Sequence, residues 1–162
     1  MFKTRVLSGA VLLVILAIVF ILGGNILLAF MGVTSIIGLY EFYRATGLCS
    51  REKPIDSLTL IGYLGTLALY LYLFFSKGEH SHIAFVVIIS LVVMFAVFVL
   101  TFPKYDITRI AYAFIGLCYV PFLLEFVYLT RQLENGIYLV WLIFLSSWIC
   151  DTFAYFTGML FG

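Results

Sequence analysis

The segment Ser147-Trp148-Ile149-Cys150-Asp151-Thr152-Phe153-Ala154-Tyr155-Phe156-Thr157-Gly158-Met159-Leu160-Phe161-Gly162 carries one ionisable acid in a run otherwise apolar enough for a bilayer. A carboxylate at the centre of a membrane helix costs about 2.5–3.5 kcal/mol on insertion scales, so its presence asks for a function. At about 100° per residue, Ser147, Ala154, Tyr155, Gly158 and Gly162 all fall within about 60° of Asp151. One stripe therefore holds a hydroxyl, a carboxylate, a phenol and two glycines. Ile149, Phe153 and Phe156 take the opposite face. Such a stripe can hold a ligand or a metal, with the glycines allowing close approach. It can equally pack against another helix, because Ala154, Gly158 and Gly162 form a small-xxx-small run. In that second reading Asp151 pairs with an arginine elsewhere in the bundle. On residues alone the two readings stand side by side. Either way, the carboxylate is expected to point into the bundle or a wet cavity rather than at lipid.

Other candidates are plainer. Glu41 and Arg44, spaced i, i+3, suit an interfacial ion pair. Glu125, four residues after Pro121, is expected near the outer interface or paired inside the bundle, with a transport role as its alternative. His80 and His82 have no Cys, Asp or third His nearby, so a solvated loop explains them better than zinc. Cys49, Cys118 and Cys150 are far apart and read as small buried hydrophobes, not a disulfide framework. Arg51-Glu52-Lys53 is too mixed in charge for an anionic-lipid patch. No P-loop, HExxH or Gly-x-Ser-x-Gly motif occurs.

The elements that must position these residues are membrane helices. Hydrophobic residues make up 65 % of the 162-residue chain and charged residues 10 %, which excludes an ordinary soluble domain. A net charge of +1 gives no reason to expect nucleic acid. A span needs about 20 apolar residues. Six runs qualify: 6–22, 26–43, 58–75, 83–102, 110–129 and 137–157, the last extending to 162 if the helix continues. The chain reads as one all-α polytopic membrane region. The first run is long for a signal peptide and no Ala-x-Ala site follows it, so it is expected to stay as a span. Six spans put both termini on one side. Lys3, Arg5, Arg44, Arg51, Lys53, Lys104 and Arg109 share that side, and only Lys77 and Arg131 face the other. The positive-inside rule makes the seven-residue side cytoplasmic. Asp151 then lies about 9 Å of helix from the cytosolic end at Thr157, within reach of a cytosolic ligand.

Trp148-x-x-Asp151-x-x-Ala154-Tyr155-x-x-Gly158-x-x-x-Gly162 resembles the middle motif of the phosphatidate cytidylyltransferase (CDP-diacylglycerol synthase) family. Thr4-Arg5-Val6-Leu7-Ser8-Gly9 looks like that family's start, and Tyr40-Glu41-Phe42-Tyr43 like the end of its second helix. The resemblance implies transfer of a cytidylyl group from CTP to phosphatidate, giving CDP-diacylglycerol and pyrophosphate in phospholipid synthesis. It implies a cell (inner) membrane enzyme using Mg2+. Asp151 would be a metal- or nucleotide-site residue, with Tyr155, Gly158 and Gly162 close to the bound nucleotide. CTP, phosphatidate and membrane lipid are the expected partners, with a homodimer as a further one. The family's downstream signature is a Ser-, Lys- and Arg-containing stretch, a Lys-Asp pair and a His-Gly-Gly segment ending in acidic residues. None of it occurs here, so the sequence is expected to be an N-terminal portion, inactive alone. The D-x-x-D-G pattern of CDP-alcohol phosphotransferases is absent too. The alternatives are a CTP-dependent polyprenol kinase-like enzyme and, from another class, a small transporter or packing subunit using Glu125 and Asp151.

Overall fold

Inside a bilayer every backbone N–H and C=O must be satisfied within the segment, which leaves apolar runs of this length the choice of helix. A computed structural model describes residues 2–52, 55–77, 79 and 81–161, with side chains placed at 9 and from 11 onward. Among the described residues there are helices and turns and no strand. The helices are α1 (Phe2–Leu22), α2 (Gly24–Ala45), α3 (Ser57–Phe75), α4 (Ile83–Leu100), α5 (Ile107–Leu117), α6 (Leu123–Gln132) and α7 (Gly136–Phe161). A π-turn, Cys118–Phe122, joins α5 to α6. Together those pieces make one crossing, Ile107–Gln132. Five helices are long and apolar enough to cross a membrane, and Val11–Leu22 adds a shorter apolar stretch.

The boundaries follow local chemistry. Gly23 and Gly24 both take positive φ, +60° and +50°, which lets α1 turn straight into α2. At the other end of α2, Gly47 sits at φ +75°. The Leu48 N–H then reaches the Tyr43 carbonyl at 2.9 Å, and the Gly47 N–H the Arg44 carbonyl at 3.2 Å. This is a Schellman motif, and it closes the last turn. At the start of α3, Thr59 Oγ1 accepts from the Asp56 N–H at 2.8 Å and donates to the Asp56 carbonyl at 3.0 Å. Asp106 caps α5, its Oδ1 accepting from the Ile107 N–H at 2.8 Å. Pro121 has no N–H to donate, and it sits buried inside the π-turn. The crossing survives its proline by a change of hydrogen-bond register instead of breaking.

Two apolar clusters hold the bundle. One gathers Phe20, Leu27, Met31, Leu73, Tyr128 and Val140 near the end where α1 meets α2. The other gathers Leu39, Tyr43, Leu58, Met94, Ile110 and Ala113 near the end where α2 meets α3. Charges sort to the same two ends. Lys104 meets Asp56 at 3.3 Å and the Arg109 Nη2 donates to the Leu48 carbonyl at 3.4 Å. At the opposite end the Arg131 Nε donates to the Phe20 carbonyl at 2.9 Å. The central helices α2 and α3 pack on several neighbours, whereas α7 touches α6 and, more slightly, α1.

Candidate functional site

The stripe on α7 exists as a helical face, and it is bare. Ser147, Asp151, Tyr155 and Gly158 are all exposed, as is every residue from Ile149 to Phe161. Only Gly136 and Val140, in the first half of α7, are buried. The expectation that Asp151 points into the bundle is therefore corrected. The second half of α7 extends along no other described helix, so its stripe meets no protein surface. The carboxylate of Asp151 makes no hydrogen bond and no ion pair among the described residues, so the structural pair with an arginine is not formed either. Gly158 has open space around the position of a Cβ. Among the described residues the Tyr155 ring pairs with the ring of Phe156, its neighbour in sequence, at 5.9 Å between centroids. Gly162 lies outside the described residues, as does His80.

A divalent cation needs several oxygen ligands, and Mg2+ in such enzymes uses one or two carboxylates plus substrate phosphates. Among the described residues no three His, Cys, Asp or Glu side chains come together. Asp151 stands alone, so the described residues do not by themselves form a metal site.

Other expectations are placed as follows. Glu41 and Arg44 form their ion pair at 3.0 Å, on an exposed face. Glu125 is not paired among the described residues. It is 1 % exposed, and its Oε2 has no hydrogen-bond partner. Its side chain lies inside the bundle, and no basic side chain among the described residues forms an ion pair with it. His82 bonds locally, its Nδ1 lying 2.8 Å from Ser81 Oγ and 3.3 Å from Tyr72 Oη. Cys49 is buried, Cys118 half-buried and Cys150 exposed, so the reading of three buried hydrophobes holds for Cys49 and fails for Cys150.

Two polar clusters escaped the sequence reading. Ser35 Oγ and Tyr70 Oη meet at 2.7 Å between α2 and α3. Asp56 Oδ1 accepts from Tyr105 Oη at 2.7 Å and from Lys104 Nζ, tying the start of α3 to the loop before α5. Burial pushes the Asp56 carboxyl up. The hydrogen bonds from Tyr105, the Ser57 backbone and Lys104 outweigh it and hold the group below its ordinary range. Neither cluster has a sequence signal beyond the residue types, because each joins helices far apart along the chain.

The model of the cytidylyltransferase family matches residues 3–162. This chain belongs to the cytidylyltransferase family. No curated protein and no solved structure matches it. As a cytidylyltransferase it is a nucleotidyltransferase of lipid synthesis, with CTP as the nucleotide. The match takes in the α7 stripe and the helices that precede it.

Proposed function

We propose that the chain serves transfer of a cytidylyl group from CTP to phosphatidate, giving CDP-diacylglycerol and pyrophosphate. The observation that carries this reading is the family match across residues 3–162, which includes the Trp148–Gly158 motif. A polytopic helical bundle supports it, because one substrate is a membrane lipid and the reaction must meet it at the bilayer surface. A phosphate oxygen of phosphatidate attacks the α-phosphorus of CTP. The bond from that phosphorus to the bridging oxygen breaks, and pyrophosphate leaves with the electron pair.

In this reading Asp151 binds at the nucleotide site, with Tyr155, Gly158 and Gly162 beside the nucleotide. The exposed stripe on α7 is the surface available for that role. CTP and the lipid phosphate together bring several negative charges, and cations must offset them in the transition state. No basic side chain lies on the α7 stripe, so those cations come from groups brought to it. The cell membrane is the proposed location, with both ends of the chain on the cytoplasmic side.

The test uses membranes containing a full-length version of the protein, phosphatidate and CTP labelled at either the α- or the γ-phosphorus. Cytidylyl transfer carries α-label into the lipid phase, and a CTP-dependent lipid kinase carries γ-label there. Asp151→Asn is expected to lower α-label transfer by at least ~10²-fold, the scale of losing one preorganised charged contact at a reacting centre, with membrane insertion unchanged. Transfer of γ-label, or near wild-type α-label transfer by the variant, overturns respectively the reaction and the role of Asp151.

A further inference from the structure

A furrow runs along the contact of α2 and α3. Leu28, Ala29, Gly32, Val33, Leu67 and Leu71 line much of its volume of about 300 Å³. Ala29 and Gly32 bring little bulk to its lining, and Val33, Leu67 and Leu71 are exposed along its rim. It therefore opens sideways, toward the acyl chains of a bilayer. At its end lies a second hollow of about 500 Å³, which reaches Asn25, Phe74, Lys77, Tyr128 and Gln132. Asn25 and Phe74 border both spaces, so the apolar furrow and the polar hollow adjoin. Both volumes lie in the range of about 300–1,000 Å³ usual for small-molecule sites.

The chemistry of the hollow is one-sided. Lys77 is the charged residue among the described residues that line it, and none of them is acidic. The Lys77 ammonium makes no ion pair among the described residues, and the Asn25 and Gln132 side-chain amides make no hydrogen bond there. Arg131, on the same end of the bundle, is occupied with the Phe20 carbonyl. Three donor groups thus face one space with nothing to bind. An amphiphile with an apolar tail and an anionic head matches this layout.

We propose that the furrow and the hollow form one binding site for an anionic phospholipid, with an acyl chain between α2 and α3 and the phosphate against Lys77, Asn25 and Gln132. A zwitterionic headgroup is the poorer occupant, because it would bring its own cation into a hollow that offers no carboxylate. The site is separate from the α7 stripe. Its hollow lies at the end of the bundle where α6 finishes and α7 starts, and Asp151 is about 22 Å further along α7. The proposal does not depend on which lipid the cytidylyltransferase uses as substrate.

The probe is phosphatidylglycerol carrying an acyl-chain diazirine, in phosphatidylcholine vesicles holding the purified protein. Crosslinks mapped by peptide mass are expected to concentrate on Val33, Leu67 and Leu71, not on the lipid-facing Phe85 and Val92 of α4. Unlabelled phosphatidylglycerol is expected to compete about fivefold better than phosphatidylcholine, the step one basic side chain gives at a membrane surface. Lys77→Gln is expected to erase that preference, and Ala29→Phe to suppress furrow labelling by filling it. Both replaced side chains are exposed, and helix content by circular dichroism checks that each variant folds. Equal labelling of α4 means ordinary boundary lipid and overturns the proposal. So does a furrow closed to the probe by other protein, equal competition by the two lipids, or a preference that survives Lys77→Gln.

Discussion

Glu125 and Asp56 are both acids at helix starts, and their surroundings treat them oppositely. Glu125 is buried with Oε2 unpartnered. A buried polar group without a partner costs about 1–3 kcal/mol, and replacing it with an apolar group of similar shape can stabilise. Glu125→Met is therefore expected to raise the thermal unfolding temperature in detergent. A clear drop would mean that Glu125 holds a partner in the functional protein. Asp56 has its partners, Tyr105 at 2.7 Å and Lys104 at 3.3 Å. Its carboxyl is held below the ordinary value, so its contribution to stability is present above the unfolded pKa of about 3.9 and is lost as pH falls through the lower folded value. Tyr105→Phe is expected to cost about 1–2 kcal/mol at pH 7, with the gap to wild type narrowing at pH 3. A gap of equal size at both pH values would show that the hydrogen bond to the charged carboxyl is not its source.

At the scale of elements, one tyrosine clasps three helices. Tyr43, at the end of α2, lies between Gly62 of α3 and Gly116 of α5, and its hydroxyl donates to the Ala113 carbonyl at 2.9 Å. A Cβ at Gly62 would fall on the Tyr43 hydroxyl, and one at Gly116 would come within 2.6 Å of its ring. Gly62→Ala must therefore displace the ring and break the hydrogen bond. Overpacking costs about 1–3 kcal/mol and the bond about 1 kcal/mol more. The expected result is a loss of about 2–4 kcal/mol in chemical denaturation, with Tyr43→Phe alone losing about 1 kcal/mol. A neutral Gly62→Ala would show that α3 slides freely past α2. The π-turn belongs to this scale as well: Val120 from it packs so tightly on α2 that a Cβ at Gly38 would lie 2.9 Å from Val120 Cγ1.

For the whole molecule, the sorting of charges decides how it sits in a membrane. Lys104 and Arg109 lie with Asp56 and Leu48 at one end of the bundle, and Arg131 lies with Phe20 at the other. With the proposed orientation, the first end is cytoplasmic. Cysteines placed at Lys77 or Glu134 are expected to react with an impermeant thiol reagent on intact cells, and one at Arg51 only after permeabilisation. The native Cys150 is exposed along α7 and must be replaced first, so that it does not contribute a background. The reverse labelling pattern would invert the topology and move the α7 stripe away from cytosolic CTP.

Local and additive properties could be read from the chain by itself. The all-helical membrane class follows from backbone satisfaction in lipid, which depends only on the length and apolarity of each run. The expected spans 26–43 and 58–75 lie inside α2 and α3 for that reason, and the Gly23-Gly24 turn was legible because few residues but glycine take positive φ in succession. The shared face of Asp151, Tyr155 and Gly158 is likewise helical arithmetic. Tertiary structure alone decided what stands opposite each residue. The sequence suggested that Asp151 would be covered and Glu125 interfacial or paired, and the fold leaves Asp151 bare and Glu125 buried without a partner. Pro121 has no N–H and would interrupt a regular helix, and a π-turn absorbs it. Tyr43 and Ala113 meet across 70 residues of chain, and Tyr105 reaches Asp56 across 49. Such pairings depend on helix rotation and crossing, which many side chains set together, and no local pattern in a single sequence encodes them.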